Sequence, residues 1–510
     1  MRGRLDARRI KTLFAGIIVG LITGVIASIF RLIIAHTVEW VKDVYHFLHH
    51  DPKWIIAWVI FIAILGIIVG LLMKTSPQIS GAGIPQVEGQ LAGKYQEPWF
   101  PVLWKKFVCG IMGIGTGLML GREGPSVQLG AVVGQGYAEL THRKGHEWRT
   151  LIASGSAAGL SAAFNAPIAS TMFVIEEMYH NFSPVIWLTS FASAVCSNFV
   201  SLVVFGQVPI LHIVYSKMLP LRYYWLLIGL GIVLGALGVL YQKVLLNLPK
   251  FYAKLKVPRY FDGLLIMLAS ILVGYFWTNA IGGSDDVIFS MAVFKSSVLV
   301  LVGLLIIRFV FSTLSYSSGL PGGIFLPILT LGSVIGCLYG QIMVNVGLMP
   351  ETYVVNLVIF SMAGYFAAIG KAPFTAMLLI VEMVGSLKNL MPLALVSLTA
   401  YVTLDLMGGK PIYESLLQAL IKPVEEEDYG YPDRIEVPVY DNSRLVGKRV
   451  CELKWPESSL LISIRHGEEE VIPHGDNVLE PGDTLVIETK HDNRAYVSEQ
   501  IKNIKDREDG

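Results

Sequence analysis

Long uncharged runs broken at intervals by glycine and proline set the pattern of this chain. Residues 12–30, 55–73, 223–242 and 264–283 carry no charged side chain and are each 19 or 20 residues long. A helix of about 20 apolar residues crosses the roughly 30 Å hydrocarbon core of a bilayer, so these runs predict spanning helices. Other runs are too short. Segment 107–121 lies between Lys106 and Arg122, and at about 1.5 Å per residue it covers only about 22 Å. Segment 151–175 is interrupted by Asn165-Ala166-Pro167, and segment 309–348 by Ser317-Ser318-Gly319-Leu320-Pro321-Gly322-Gly323. Irregular backbone is tolerated at membrane depth only where protein or a cavity surrounds it.

The pattern repeats weakly along the chain. Gly130-Ala131-Val132-Val133-Gly134 returns as Gly332-Ser333-Val334-Ile335-Gly336. Ala158-Gly159, Ala162-Ala163, Ala166-Pro167 and Glu177-Met178 return in order as Ala363-Gly364, Ala367-Ala368, Ala372-Pro373 and Glu382-Met383. Paired Gly/Pro-interrupted segments in two halves point to a transport site at the repeat interface. The direction of the repeats is not legible from the residues alone.

Beyond about residue 421 the pattern changes. Residues 422–433 form an acidic linker that includes Glu425-Glu426-Glu427-Asp428. Residues 434–510 alternate as in a small α+β domain, with strands expected at 434–440, 459–465 and 483–488 and a helix at 493–503. Pro473-His474-Gly475-Asp476 and Pro481-Gly482-Asp483 are turn signals between them. About 70 residues bury a small core, so this domain is expected to lean on a copy of itself. The expected division is 1–421 membrane domain, 422–433 linker and 434–510 cytoplasmic domain.

Composition supports this reading and narrows it. The 510 residues are 53% hydrophobic and 15% charged, against roughly 25% charged in soluble domains. The spans exclude a soluble enzyme. A net charge of +1 gives no argument for nucleic acid. Cys109, Cys196, Cys337 and Cys451 are far apart and match neither a metal spacing nor a disulfide framework. The basic start (Arg2, Arg4, Arg8, Arg9, Lys11) feeds a long apolar run without a convincing cleavage site. It reads as a cytoplasmic N-terminus, and the basic loop 141–149 as cytoplasmic too.

Three clusters carry the candidate chemistry. Gly81-Ala82-Gly83-Ile84-Pro85, Gly121-Arg122-Glu123-Gly124-Pro125 and Gly322-Gly323-Ile324-Phe325-Leu326-Pro327 each put proline where a first helical turn accepts it, behind glycines that let the chain turn. A helix N-terminus carries free N–H groups and about half a positive charge, which favours an anion. The bland alternative for any one cluster is an ordinary helix break. Glu123 adds an ionisable side chain at membrane depth, which is costly and usually functional. As a structural residue it would pair with Arg122, although sequence neighbours in a helix do not face each other. As a functional one it occupies the anion's place when ionised and leaves it when protonated. On the residues alone, Glu176-Glu177 reads as a solvated helix end and Tyr413 as a boundary aromatic.

Taken together these motifs resemble the CLC family of chloride channels and proton-coupled chloride antiporters. The resemblance rests on residues 81–85, 121–125 and 322–327, on Ala162-Ala163-Phe164-Asn165-Ala166-Pro167, and on Lys410-Pro411-Ile412-Tyr413. It covers roughly residues 10–420. It implies an all-α polytopic membrane fold of two inverted repeats with broken helices, in a homodimer with one pore per subunit. It implies no enzyme and no cofactor, with chloride as bound substrate and protons as the exchanged species. The implied place is the cell membrane, with both termini cytoplasmic. By position, Glu123 would be the external gating glutamate and Glu177 the internal proton glutamate. The implied anion-binding residues are Ala82, Gly83, Ile84, Arg122, Gly124, Gly323, Ile324, Phe325 and the Tyr413 hydroxyl. The acid at 177 favours a proton-coupled antiporter over the alternatives, a passive chloride channel or an exchanger with altered preference (nitrate or fluoride).

One position departs from the pattern. Ala82 stands where most chloride members have serine, and a methyl group donates no hydrogen bond. Weakened central anion binding is therefore expected. The tail resembles the C-terminal (TrkA-C) part of RCK regulatory domains through Val471-Ile472-Pro473-His474-Gly475-Asp476 and Leu479-Glu480-Pro481-Gly482-Asp483. That implies a dimerising module sensing a small ligand of the nucleotide or cyclic dinucleotide class, with a ligand-free dimer clamp as the alternative. A cation-uptake subunit, suggested by the tail alone, lacks a Thr-Val-Gly-Tyr-Gly filter.

Overall fold

The computed structural model describes residues 2–179, 183–211, 217–254, 258–278, 281–282, 285–293, 297–421, 432–466, 469–490 and 493–506. The membrane domain is all helical. Its first half runs α1 Arg2–His50, α2 Ile55–Thr75, α3 Ile84–Leu91, α4 Trp99–Gly115, α5 Glu123–Leu140, α6 His146–Phe164, α7 Pro167–Phe173 and α8 Pro184–Phe205. The second runs α9 Tyr224–Lys254, α10 Asp262–Phe276, α11 Asp285–Val293, α12 Val298–Ser317, α13 Phe325–Asn345, α14 Val354–Gly370, α15 Pro373–Val384, α16 Leu390–Leu406 and α17 Ile412–Leu420. Among the described residues nine helical stretches are long and apolar enough to cross a membrane.

Two expected spans are altered. The run 12–30 sits inside α1, whose 49 residues extend roughly 73 Å, well beyond the hydrocarbon core. The α-helix of the run 264–283 ends at Phe276, because Trp277 leaves helical geometry at φ −138° and ψ 59°, and residues 279, 280 and 283 lie outside the described residues.

The weak repeat corresponds to a shared packing device. A Cβ on Gly155 would overlap the Gly130 carbonyl oxygen, and one on Gly159 would overlap that of Ser126, so α5 and α6 cross in backbone contact. In the second half, a Cβ on Gly332 would lie 2.7 Å from Ser361 O and one on Gly336 2.6 Å from Leu357 O, which brings α13 onto α14. Small residues let membrane helices approach this closely, where dispersion rather than water drives association. The breaks also match. Asn165 ends α6 and Lys371 ends α14 in the left-handed region, at φ 50° and 56°. Ala166 and Ala372 then re-enter α7 and α15 with φ/ψ of −131/73° and −119/74°.

The C-terminal domain is an antiparallel sheet of order β1-β4-β2-β3, with β1 Pro432–Pro438, β2 Ser459–His466, β3 Glu469–Val471 and β4 Asp483–Lys490, followed by α18 Arg494–Asp506. Ile435, Leu485, Ile487, Val497 and Ile501 centre its own small core. The strand β3 was not expected: three residues are too few to show an alternation. Within the expected linker, residues 422–431 lie outside the described residues, while Pro432 and Asp433 pair with Lys490 and Thr489 as the start of β1.

Gly155→Ala should destabilise the detergent-solubilised protein by roughly 1–3 kcal/mol, because neither helix can retreat. Gly303→Ala is the control, since no atom lies within 4 Å of its would-be Cβ. Thermal unfolding of the two variants should differ clearly; equal midpoints would show that α5 and α6 are free to separate.

Candidate anion and proton site

The three glycine clusters meet at one place. Gly121 N–H donates to Gly323 O at 2.8 Å and Gly323 N–H donates to Gly121 O at 2.7 Å, a two-bond bridge between the halves. Gly322 N–H donates to Gly81 O at 3.1 Å, and Gly81 N–H to Gly319 O at 3.0 Å. The first helix after each cluster starts here: α3 behind Gly83, which holds φ 89°, α5 at Glu123 and α13 at Phe325. Pro85, Pro125 and Pro327 fall in the opening turns, where the missing N–H leaves no bond unmade. Lys106, fully buried, donates to Ile79 O at 2.8 Å and to Gly81 O at 2.7 Å. It gives the Ile79 carbonyl a donor and the Gly81 carbonyl a second one beside the Gly322 N–H. The sequence hinted at it only as the charge that begins an undersized apolar run.

Glu123 is fully buried. A Cβ on Gly121 would overlap its Oε2, and the position of that Cβ is 3.3 Å from the Leu326 amide nitrogen in the opening turn of α13. The side chain therefore doubles back over Gly121 and lays its carboxylate beside a helix N-terminus. Arg122 Nε approaches Glu123 Oε1 only to 3.9 Å. Ala82 packs its methyl toward α5: a Cβ on Gly124 would be 2.9 Å from Ala82 Cβ. Ile84 opens α3 and is fully buried.

Phe325 is held in an aromatic cage, with ring centroids 4.1 Å from Phe366, 5.0 Å from Phe164 and 5.9 Å from Phe173. Phe173 also stands edge-on to Tyr413 at 6.1 Å. The Tyr413 ring, near the start of α17, is fully buried, and its hydroxyl has no hydrogen-bond partner among the described residues. Glu177, Tyr316, Tyr241 and Glu123 are its electrostatic neighbours. Tyr413 thus has both Glu123 and Glu177 within electrostatic reach.

Glu177 lies in a π-helical turn, Val174–Tyr179, that continues α7. Such turns recur at functional sites because the wider ring re-aims a side chain. Glu177 is buried, and Glu88, Glu176 and Glu414 are its charged neighbours. Glu88 was missed from sequence; an acid inside the short helix α3, behind its Gly/Pro start, is the signal that could have found it.

The preceding acid has a different task. Glu176 accepts Phe374 N–H at 3.2 Å, Thr375 N–H at 2.8 Å and the Thr375 hydroxyl at 2.7 Å, so it caps α15. Glu382, on α15, accepts Ile168 N–H at 3.1 Å and Ala169 N–H at 2.8 Å, so it caps α7. Each half caps the other, the arrangement that a two-fold axis between the halves produces. This corrects the repeat register: the partner of Glu382 is Glu176, not Glu177. Both lie nine residues beyond the proline that opens their helix, Pro167 or Pro373. The solvated helix end expected for Glu176-Glu177 gives way to a cap and a buried acid. Glu177 has no acidic counterpart in the second half.

The C-terminal domain docks near this end of the site. Asp433 of β1 forms an ion pair with Arg149 of α6, both almost fully buried. Arg494 of α18 donates to Arg434 O at 2.6 Å, approaches Asp433 Oδ1 to 3.6 Å, and lays its stem over Gly93. Tyr179, two residues beyond Glu177, has both guanidiniums as electrostatic neighbours. A cavity of about 550 Å³ lies at this junction, lined by Tyr95, Glu97, Gln135, Glu139, Trp148 and Asp433 among others. Burial pushes the Glu97 carboxyl, in the loop between α3 and α4, up to about 7, against the lowering effect of the bond from Gln128. No group of three or more His, Cys, Asp or Glu side chains suited to a metal occurs among the described residues.

The sequence profile described as the voltage gated chloride channel matches residues 65–405, and that of the TrkA-C domain matches residues 434–502. The H(+)/Cl(-) exchange transporter ClcA of Vibrio campbellii is 33% identical over 428 residues, which cover 80% of this chain and 90% of the relative. That of Salmonella typhi is 32% identical over 438 residues, covering 83% and 91%. Among solved structures, a slow cyanobacterial Cl-/H+ antiporter superposes with a TM-score of 0.75 at 31% identity, over 80% of this chain and 98% of that one. A CLC-type fluoride/proton antiporter reaches 0.65 at 20% identity over 77% and 94%, a likeness of fold.

Lys106→Met would leave the carbonyl of Ile79 buried without its donor and that of Gly81 with only the Gly322 N–H. At about 1–3 kcal/mol for a stranded group, thermal stability in detergent should fall well below wild type. A variant as stable as wild type would mean that these carbonyls find water.

Proposed function

The chain belongs to the voltage-gated chloride channel (CLC) family, and from that premise we propose that it is a proton-coupled chloride antiporter of the cell membrane. The observation that carries the reading is the place of Tyr413: a buried hydroxyl without a partner among the described residues, with both Glu123 and Glu177 among its electrostatic neighbours. Ionised Glu123 lies where the opening turn of α13 would hold an anion, so carboxylate and chloride compete for one place. Protonation removes the charge that holds the side chain there, and chloride enters against the backbone N–H groups of Ile324 and Phe325 and the Tyr413 hydroxyl. Dipoles shared among several helix ends bind an anion without trapping it as a fixed cation would. Glu177, buried among Glu88, Glu176 and Glu414, exchanges its proton with the cytoplasmic side. The names of the relatives, H(+)/Cl(-) exchange transporters, support the same reading.

Two further parts of the reading concern assembly and control. Glu176 and Glu382 are only half-buried, and Ile168 and Phe374 beside them are 48% and 59% exposed. Carboxylates do not face acyl chains cheaply. A second copy covering this face, in a homodimer, would shield them. The C-terminal domain is the regulatory part: a small ligand acting on it reaches the proton acid through Asp433, Arg149 and Tyr179.

Reconstituted in liposomes under a chloride gradient, the protein should drive proton movement against its own gradient. Glu123→Gln and Glu177→Gln should each keep chloride flux and abolish the coupled proton flux. Chloride flux that moves no protons with both acids intact would overturn the antiport reading.

Asp433→Asn removes one member of a buried ion pair, a change that costs about 3–5 kcal/mol. Amide exchange in residues 432–438 should become much faster. Unchanged exchange would show that other contacts hold the domain in place.

A further inference from the structure

We propose that the phenol of Tyr316, near the end of α12, is an additional ligand of the transported anion and supplies the hydroxyl that Ala82 lacks. The inference rests on the chloride-path reading of the site and names a ligand beyond it.

Three observations carry it. The first is proximity to the Gly81 cluster. The Tyr316 hydroxyl lies 3.5 Å from the position of a Cβ on Gly81, and the Ala82 backbone is its polar neighbour. The chain just beyond it is clamped to the same cluster, because Gly319 O accepts both Gly81 N–H and the Ser80 hydroxyl, the latter at 2.9 Å. Tyr316 is therefore held against the loop that carries Ala82.

The second is convergence. Tyr413 has Tyr316 and Tyr241 as electrostatic neighbours, and Tyr241 in turn has Tyr316. The hydroxyls of Tyr241 and Tyr413 are buried and have no hydrogen-bond partner among the described residues. Buried hydroxyls are normally satisfied, so a group of phenols left with donors to spare is built for an acceptor. Glu123 and Glu177 are both electrostatic neighbours of Tyr413, so on the chloride-path reading the acceptor is the transported anion.

The third is the chemistry of the two groups. The backbone of Ala82 that lowers the cost of charge on the Tyr316 oxygen is a donor, so the phenol keeps its own proton to give. A phenol offers one such proton and cannot be a permanent cation, so it strengthens the site without trapping the anion. The Ala82 side chain cannot take this part: its methyl packs on Gly124. The weakened central binding expected from Ala82 alone is thereby offset by a hydroxyl from a different helix.

The test is isothermal titration of chloride into the purified full-length protein. Tyr316→Phe, which keeps the ring and removes the donor, should weaken chloride binding roughly tenfold, the effect of losing a hydrogen bond to a charged group. Ala82→Ser should restore much of the lost affinity in the Tyr316→Phe background. Tyr413→Phe serves as the reference for the site itself. Loss of affinity in Tyr413→Phe with none in Tyr316→Phe would overturn the inference and leave the site reading standing. A Tyr316→Phe loss that Ala82→Ser does not repair would overturn the substitution of one hydroxyl for the other. Wild-type affinity in both tyrosine variants would overturn the site reading along with the inference.

Discussion

In hydrocarbon every backbone amide must find its partner within the protein, and the paired bonds between Gly121 and Gly323 are how this chain meets that demand where its helices break. A helix that stops at membrane depth exposes unpaired N–H groups at one end. Here three such ends are brought to one point, and their loops satisfy one another across the two halves. What remains unspent is the outward dipole of each opening turn. The same stitching that permits the breaks therefore leaves a place for negative charge. Glu123 lies folded over Gly121 in that place, beside the start of α13.

The two halves are tied a second time at the far end of the site. Glu176 caps α15 and Glu382 caps α7, each with two backbone N–H groups. Charge-assisted bonds of this kind are stronger than neutral ones and fix the geometry of both helix starts. With Glu176 occupied as a cap, its neighbour in the π-helical turn is left to face inward. The capping acid and the buried acid are adjacent in sequence and differ in the direction they take. Tyr179, at the end of that turn, has Arg149 and Arg494 as electrostatic neighbours, so the C-terminal domain lies one short turn from Glu177.

Much of this could be read from the residues. The spans followed from charge-free runs, the breaks from Gly and Pro, and the separate tail domain from a change of pattern. Glycines 130, 134, 332 and 336 could be matched before their purpose was known, because close helix crossing needs the same residue wherever it occurs. The acid at 123 stood out because a carboxylate has no other reason to lie among glycines at membrane depth. The end of α10, the brief strand β3 and the role of Lys106 were not legible. Each depends on partners distant in sequence.

What the sequence by itself determined was a list of parts: broken helices, the acid at 123 and a repeat from local composition and periodicity, and Glu177 and Tyr413 from the family resemblance. Tertiary structure decided which parts meet. The repeat looked as if Glu177 matched Glu382, because a Glu-Met pair matched by letters. Only the crosswise caps show that Glu176 is the counterpart, since capping depends on where a carboxylate points rather than on its neighbour's identity. Tyr316 is the clearest case. In sequence it is one aromatic in an apolar helix, 234 positions from Ala82. Folding the loop of Gly319 onto Gly81 sets its hydroxyl against the residue that lacks one. A hydrogen bond reaches about 3 Å, and no pattern along a chain can report a distance of that kind between residues so far apart.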